Sequence, residues 1–178
     1  MEKIRIAIIA LLLLTTKTLR DPIHTAAKTG NLAGVKAEIE DGEDVDIPNL
    51  SNFDLTPLHY AAAYGHLEIL EYLIQEGADL EVTDTLEGAT ALHWAAFFGH
   101  IDVVKSLTEN DADLNAMLRL GDNSGDTPLD VSIRELQPEI TDYLLENNAT
   151  YSNIFYAILN GDIDTVNEFF DDGFDVNE

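Results

Sequence analysis

The sequence predicts an all-α fold, a solenoid of stacked helix-turn-helix units whose connecting loops end in β-hairpin tips. Three observations predict it. The stretch Thr56-Pro57-Leu58-His59-Tyr60-Ala61-Ala62-Ala63-Tyr64-Gly65-His66 returns 34 residues later as Thr90-Ala91-Leu92-His93-Trp94-Ala95-Ala96-Phe97-Phe98-Gly99-His100. Each copy is followed by a second apolar-periodic run, which gives two short helices per unit. Partial copies flank the two full ones, at Asp21-Pro22-Ile23-His24 and at Thr127-Pro128-Leu129.

The motif encodes its own helix. Threonine at an N-cap accepts a backbone N–H, and proline in the next place occupies the position where its missing donor costs nothing. A helix is therefore expected from Pro57, with Leu58, Ala61 and Ala62 at helical spacing and small alanines that let a neighbouring helix come close. Gly65 ends it, since glycine accepts the left-handed conformation of a helix C-terminus. Leu67, Ile69, Leu70, Leu73 and Ile74 then mark the second helix, which stops at Gly77.

The chain opens with Met1-Glu2-Lys3-Ile4-Arg5, an unbroken apolar run from Ile6 to Leu14, and Thr15-Thr16-Lys17-Thr18. A basic start, a short apolar core and a small polar tail have the layout of a signal peptide. Residues 1–20 are therefore expected to be a signal peptide or N-terminal anchor. The protein would then be exported: periplasmic, secreted or membrane-tethered. The alternative is an apolar helix capping the first unit, with a cytoplasmic location. The segment is short for a transmembrane helix.

The first unit, about 21–50, has Asp21 in the capping place and Glu38 where the next unit has Leu73, a site that an outermost unit leaves exposed. Units two and three, about 51–84 and 85–121, are the regular centre. Asp111 replaces the glycine that ends a second helix, and Asp54 stands where Gly88 and Gly125 stand. From Thr90 to Thr127 the spacing stretches to 37, so three residues are inserted near Ala116–Gly121, which maps to a loop tip. The fourth unit, about 122–150, has Asp130 in place of histidine and Leu136 in place of the helix-ending glycine. Pro138 is expected to start its second helix, and the unit is expected to be less regular than its neighbours. The fifth, about 151–178, keeps Ala157, Gly161, Val166, Phe169 and Gly173 but has lost the opening motif. Residues 21–178 thus form one repeat domain with degenerate outer units.

Composition narrows the function. Nine Lys and Arg against 34 Asp and Glu give a formal net charge of −25, which argues against nucleic acid and anionic membrane surfaces as partners. Removing residues 1–20 takes away four basic residues and one acidic, leaving five against 33. The acidity reads as a solubility device, or as the complement of a basic partner. Without cysteine there are no disulfides, no thiolate chemistry and no Cys-ligated zinc.

Catalytic and metal chemistry find little purchase. His59 and His66 recur as His93 and His100, but a glycine and a turn separate each pair, so they do not form a helical metal-binding face. Asp122-Asn123-Ser124-Gly125-Asp126 gathers oxygen ligands, yet lacks the spacing and closing glutamate of a calcium loop. No nucleophile elbow or phosphate-binding glycine loop is present. No enzyme activity, cofactor or metal is expected.

The T-P-L-H-x-A core at a period near 33 resembles the ankyrin repeat family, and the N-terminal signal suggests an exported, bacterial type. That resemblance implies non-catalytic protein binding through the concave face and loop tips, by a monomer, with His59 and His93 hydrogen-bonding the loops. Carried over by position, the partner-binding residues are Asn52, Phe53, Leu55, Ala63 and Tyr64 in the second unit. The third contributes Leu86, Glu87, Ala89, Phe97 and Phe98; the fourth Asn123, Ser124 and Asp126, with Arg134 and Glu135 beside them. Tyr64, Phe97 and Phe98 would form an exposed aromatic cluster of the kind interfaces favour, or pack in part against the next unit. Tyr60 and Trp94 are assigned to the core. The partner is an unidentified protein, for which a basic one fits the charge. The alternative function is a structural or solubilising module of a larger exported protein.

Overall fold

The computed structural model describes residues 22–171. The N-terminal segment expected to direct export, the capping role of Asp21 and Gly173 lie outside the described residues.

Among the described residues, ten helices follow one another in five antiparallel pairs: α1 (Pro22–Thr29) and α2 (Leu32–Glu40), α3 (Pro57–Ala63) and α4 (Leu67–Gln75), α5 (Ala91–Phe98) and α6 (Ile101–Glu109), α7 (Pro128–Arg134) and α8 (Pro138–Glu146), α9 (Ile154–Asn160) and α10 (Ile163–Asp171). Successive first helices pack on one another in one layer and successive second helices in another. No strand forms among the described residues. The hairpin tips reduce to an antiparallel bridge between Asn49 and Leu55, with matching backbone bonds from Asp84 N–H to Ala89 O (3.0 Å) and Leu118 N–H to Asp126 O (2.9 Å). Two residues intervene more in the fourth tip than in the second, and three more than in the third. The insertion read from the sequence therefore lies in this tip.

The apolar seam follows from the repeat. Leu58, Leu92 and Leu129 are sealed at one position of the first helices; Leu73, Leu107 and Leu144 are sealed at one position of the second. Ala61, Ala62, Ala95 and Ala96 have no exposed surface, so adjacent first helices meet through methyl groups. Glu38, at the place of Leu73, is half-buried rather than fully exposed.

Polar positions repeat as strictly. The Nδ1 atom of His59 accepts from Thr56 N–H (3.1 Å), which leaves Nε2–H to donate to Ala89 O in the next unit (3.1 Å). His93 does the same with Thr90 N–H (3.2 Å) and Asp126 O (3.4 Å). Burial pushes the pKa of His59 below its ordinary value and that of His93 down to about 4, so both rings are neutral at pH 7. In the fourth unit the Asp130 carboxylate accepts from Thr127 N–H (2.9 Å) and, across the units, from Ser152 N–H (3.0 Å). The polarity of the cross-unit bond is reversed: an acceptor on the helix meets a donor on the next loop.

Much of the acidity is structural. Asp44, Asp79 and Asp113 each accept from the N–H two residues on, at 3.1, 2.9 and 2.9 Å. Asp46, Glu81 and Asn115 then accept from the N–H of Asp79, Asp113 and Thr150 in the following unit. Carboxylates serving as backbone acceptors in three successive loops explain part of a composition that charge alone assigned to solubility or to a basic partner.

The fourth unit is as regular as the second: both pairs have helices of seven and nine residues. Leu136 takes the left-handed conformation of the glycine it replaces (φ 57°), and Pro138 opens α8. Its polar substitutions are absorbed pairwise, for Ser132 and Thr141 share a buried hydrogen bond of 2.8 Å. The expected irregularity is thus corrected.

Candidate binding surface

The hairpin tips and the ends of the first helices lie along one side of the stack, and the tips are stitched together. Thr85 N–H donates to Phe53 O (2.9 Å), and the N–H groups of Arg119 and Leu120 donate to Glu87 O (2.8 and 3.1 Å). Within the third tip, one oxygen of the buried Asp84 carboxylate accepts from the N–H groups of Leu86, Glu87 and Gly88 (3.0, 2.9 and 3.1 Å). Its other oxygen accepts from the Trp94 indole (2.8 Å). The row is therefore held by hydrogen bonds before any ligand arrives.

Large apolar side chains stand exposed along this row: Phe53, Tyr64, Leu86, Phe97 and Phe98 each leave between 42% and 50% of their surface to solvent. Phe97 and Phe98 meet edge to face at 4.9 Å, and Phe98 stacks on Trp94 at 5.9 Å. Lys28 sits over the Tyr64 ring at 5.5 Å. Some rings thus lean on neighbours while keeping a free face.

Phe53 adds a feature that the motif did not signal. It and Asp54 both take left-handed backbone (φ 55° and 57°), the two consecutive positive angles of a tight hairpin turn. For phenylalanine that conformation costs about 1–2 kcal/mol relative to glycine. Backbone strain of this kind clusters at functional sites.

Three of the residues assigned to the surface from sequence do not belong to it. Leu55, Ala89 and Asp126 are buried at one equivalent place, just before the first helix of each unit, where their carbonyls close the hairpins. Asn52 is half-buried and donates to the Tyr60 hydroxyl. Ala63 is half-buried, with its carbonyl accepting from His100 Nε2–H (3.1 Å). Glu87 and Asn123 are half-buried and Ser124 is exposed. Tyr60 is core as expected, whereas Trp94 is only partly covered.

Asp126 instead anchors a buried polar cluster. It accepts from Arg134 in an ion pair and from the Tyr156 hydroxyl at 2.8 Å. Arg134 also donates to Glu135 (3.2 Å). Burial raises the Asp126 pKa, against the lowering effects of Tyr156 and Arg134. The Tyr156 pKa is pushed up to about 12 by burial and by the carboxylate it faces.

A family model described as ankyrin repeats (3 copies) matches the chain over residues 6–84, 23–118 and 76–154. The chain belongs to the ankyrin repeat family. Ankyrin repeats generally mediate protein–protein interaction, and members of the family are typically non-catalytic scaffolds. No curated protein matches this ankyrin repeat chain. Among the described residues, no group of three or more His, Asp or Glu side chains is placed to hold a metal ion. No helix among them is long and apolar enough to cross a membrane.

Proposed function

We propose that this ankyrin repeat protein is a non-catalytic, monomeric binding module that takes a basic protein partner along its hairpin tips and first-helix ends. One observation carries the reading: five large apolar side chains stand half-exposed along the hydrogen-bonded hairpin tips and the neighbouring ends of the first helices. Contiguous exposed apolar surface of this kind marks interaction sites, and aromatic residues are enriched among the few that dominate interface energy. Net charge of −25 favours a partner of opposite sign through steering and complementarity.

Affinity capture with the full chain at low and high salt tests it. Basic proteins are expected to bind at low ionic strength and to be lost when Phe97→Ala or Phe98→Ala is introduced, with helical circular dichroism unchanged. Unfolding of both variants would place the rings in the core and remove the reading.

The second reading, a structural module of a larger exported protein, is favoured by the outer side of the fifth pair. Phe155 and Ile158 are more than half exposed there, at the places where His93 and Ala96 are sealed by the following unit. Export itself rests on the sequence of residues 1–20, and N-terminal sequencing of the mature protein decides it. A chain still beginning at Met1 in the cytoplasm would exclude export.

A further inference from the structure

Between the third and fourth hairpin tips the row opens into a pocket of about 190 Å³, walled by Leu86, Trp94, Phe97, Leu118 and Val131, with Glu87 at its rim. Leu118 and Val131 form a buried apolar floor. The polar groups around it are already engaged. Asp84 is saturated by backbone N–H groups and the Trp94 indole, and Arg134 is held by Asp126 and Glu135. The Glu87 side chain differs. It makes no ion pair among the described residues, although its own carbonyl is fixed by Arg119 and Leu120.

We infer that this pocket receives one aromatic side chain of the partner, and that a lysine or arginine adjacent to that side chain in the partner faces Glu87. An apolar cavity of about 150 Å³ accepts benzene, so this one holds a single ring. The lining supplies aromatic faces and edges from Trp94 and Phe97, the arrangement in which aromatic groups gain beyond area burial. The walls are mostly apolar, and the acceptors among them, the Asp84 carboxylate and the Ala89 carbonyl, are already taken, which selects an apolar anchor. The acidic rim, in a chain that carries 34 acidic residues against nine basic, selects cationic neighbours over anionic ones. The inference rests on the protein-binding reading and specifies where the partner is gripped.

Trp94 is the single tryptophan of the chain and lines the pocket, so its fluorescence reports occupancy directly. The full chain is titrated with three acetylated, amidated tripeptides: Lys-Phe-Lys, Lys-Ala-Lys and Glu-Phe-Glu. Lys-Phe-Lys is expected to change Trp94 emission saturably. Lys-Ala-Lys is expected to leave it unchanged, and Glu-Phe-Glu to bind roughly tenfold more weakly at low salt. Glu87→Gln, at a loop tip, is expected to keep the fold and narrow the gap between the two phenylalanine peptides. An equal response to Lys-Ala-Lys, or none to Lys-Phe-Lys, overturns the assignment. If Lys-Phe-Lys fails while Tyr64→Ala and Phe98→Ala still abolish protein capture, the pocket falls and the binding reading stands.

Discussion

The imidazole of His100 rests against the α-carbon of Gly65, so close that a β-carbon built there would lie 2.6 Å from its Nδ1. The same approach recurs between His66 and Gly30, and Gln137 stands over Gly99 in the fourth unit. From this place the ring reaches back to the preceding unit, His66 to Lys28 O (3.0 Å) and His100 to Ala63 O (3.1 Å). Two sets of histidines therefore join the stack in opposite directions, His59 and His93 forward, His66 and His100 backward.

This closeness separates two roles of glycine. Gly65 and Gly77 both have positive φ, but a β-carbon at Gly77 meets nothing within 4 Å. Gly77→Ala is expected to cost only the left-handed conformation, about 1–2 kcal/mol. Gly65→Ala also displaces the His100 ring and its hydrogen bond, worth about 1 kcal/mol more. Urea denaturation of the two variants measures the difference, and equal midpoints would contradict it.

Acid should weaken the stack through its buried histidines. An unfolded histidine titrates near pH 6.5, whereas His93 in the fold does so at about 4, through burial. Between those values the unfolded chain holds the extra proton, so this contribution is fully present above pH 6.5 and is lost as the pH falls to 4. It amounts to on the order of 3 kcal/mol. His59 acts in the same direction. Asp46 and Asp126, whose pKa values burial raises, act in the opposite one. The comparison is therefore between proteins: His93→Gln is expected to be less stable at pH 7 and to lose less stability between pH 7 and 4.5 than the native chain. Parallel stability curves would contradict it.

Phe53 provides a test in which stability and recognition separate. Its left-handed backbone, at φ 55°, suits asparagine or glycine better. Phe53→Asn is expected to raise stability by up to about 1 kcal/mol in urea denaturation while weakening capture of the partner. A destabilised variant would mean that the ring supports the fold instead.

The stack was legible in the sequence because each unit repeats its cap, its alanines and its leucines at the same spacing, and burial then follows from position. Tyr64, Phe97 and Phe98 were legible as surface for the same reason. Leu55, Ala89 and Asp126 were not, since the residue before the capping threonine lies next to the exposed tip in sequence but is buried in space, with its carbonyl closing its own hairpin. Phe53 could be placed at the tip, yet its strain could not: Asp54 aligns with a glycine, whereas Phe53 aligns with ordinary residues. The reversal at Asp130 had a signal, an acid in place of histidine, but its meaning required Ser152, 22 residues on, which no local pattern connects to it.

That reversal yields a prediction with a definite sign. Asp130 is fully buried and satisfies two backbone N–H groups, those of Thr127 and Ser152. Asp130→Ala leaves both without an acceptor, and each orphaned group costs about 1–3 kcal/mol. Asp130→His would restore the residue found in units two and three, yet it is expected not to rescue stability. With Nδ1 accepting from Thr127, its Nε2–H would point at the Ser152 N–H, donor against donor. Thermal denaturation of both variants decides, and a histidine variant as stable as the native chain would contradict it.

The fifth pair is tied to the fourth at one edge where the Tyr156 hydroxyl on α9 donates to Asp126, the residue that Arg134 on α7 also engages. Because the Tyr156 pKa lies at about 12, the hydroxyl remains a donor throughout the neutral range. Removing it with Tyr156→Phe leaves the ring in place and the Arg134–Asp126 pair intact, so the global loss should be about 1 kcal/mol. The local effect should be larger in kind, since terminal pairs open independently of the centre in a stack where each unit touches only its neighbours. Amide hydrogen exchange is expected to quicken in α9 and α10 while remaining unchanged in α3 to α6. Uniform acceleration along the chain would mean that the five pairs unfold as one cooperative body and that this contact does not govern the docking of the last pair.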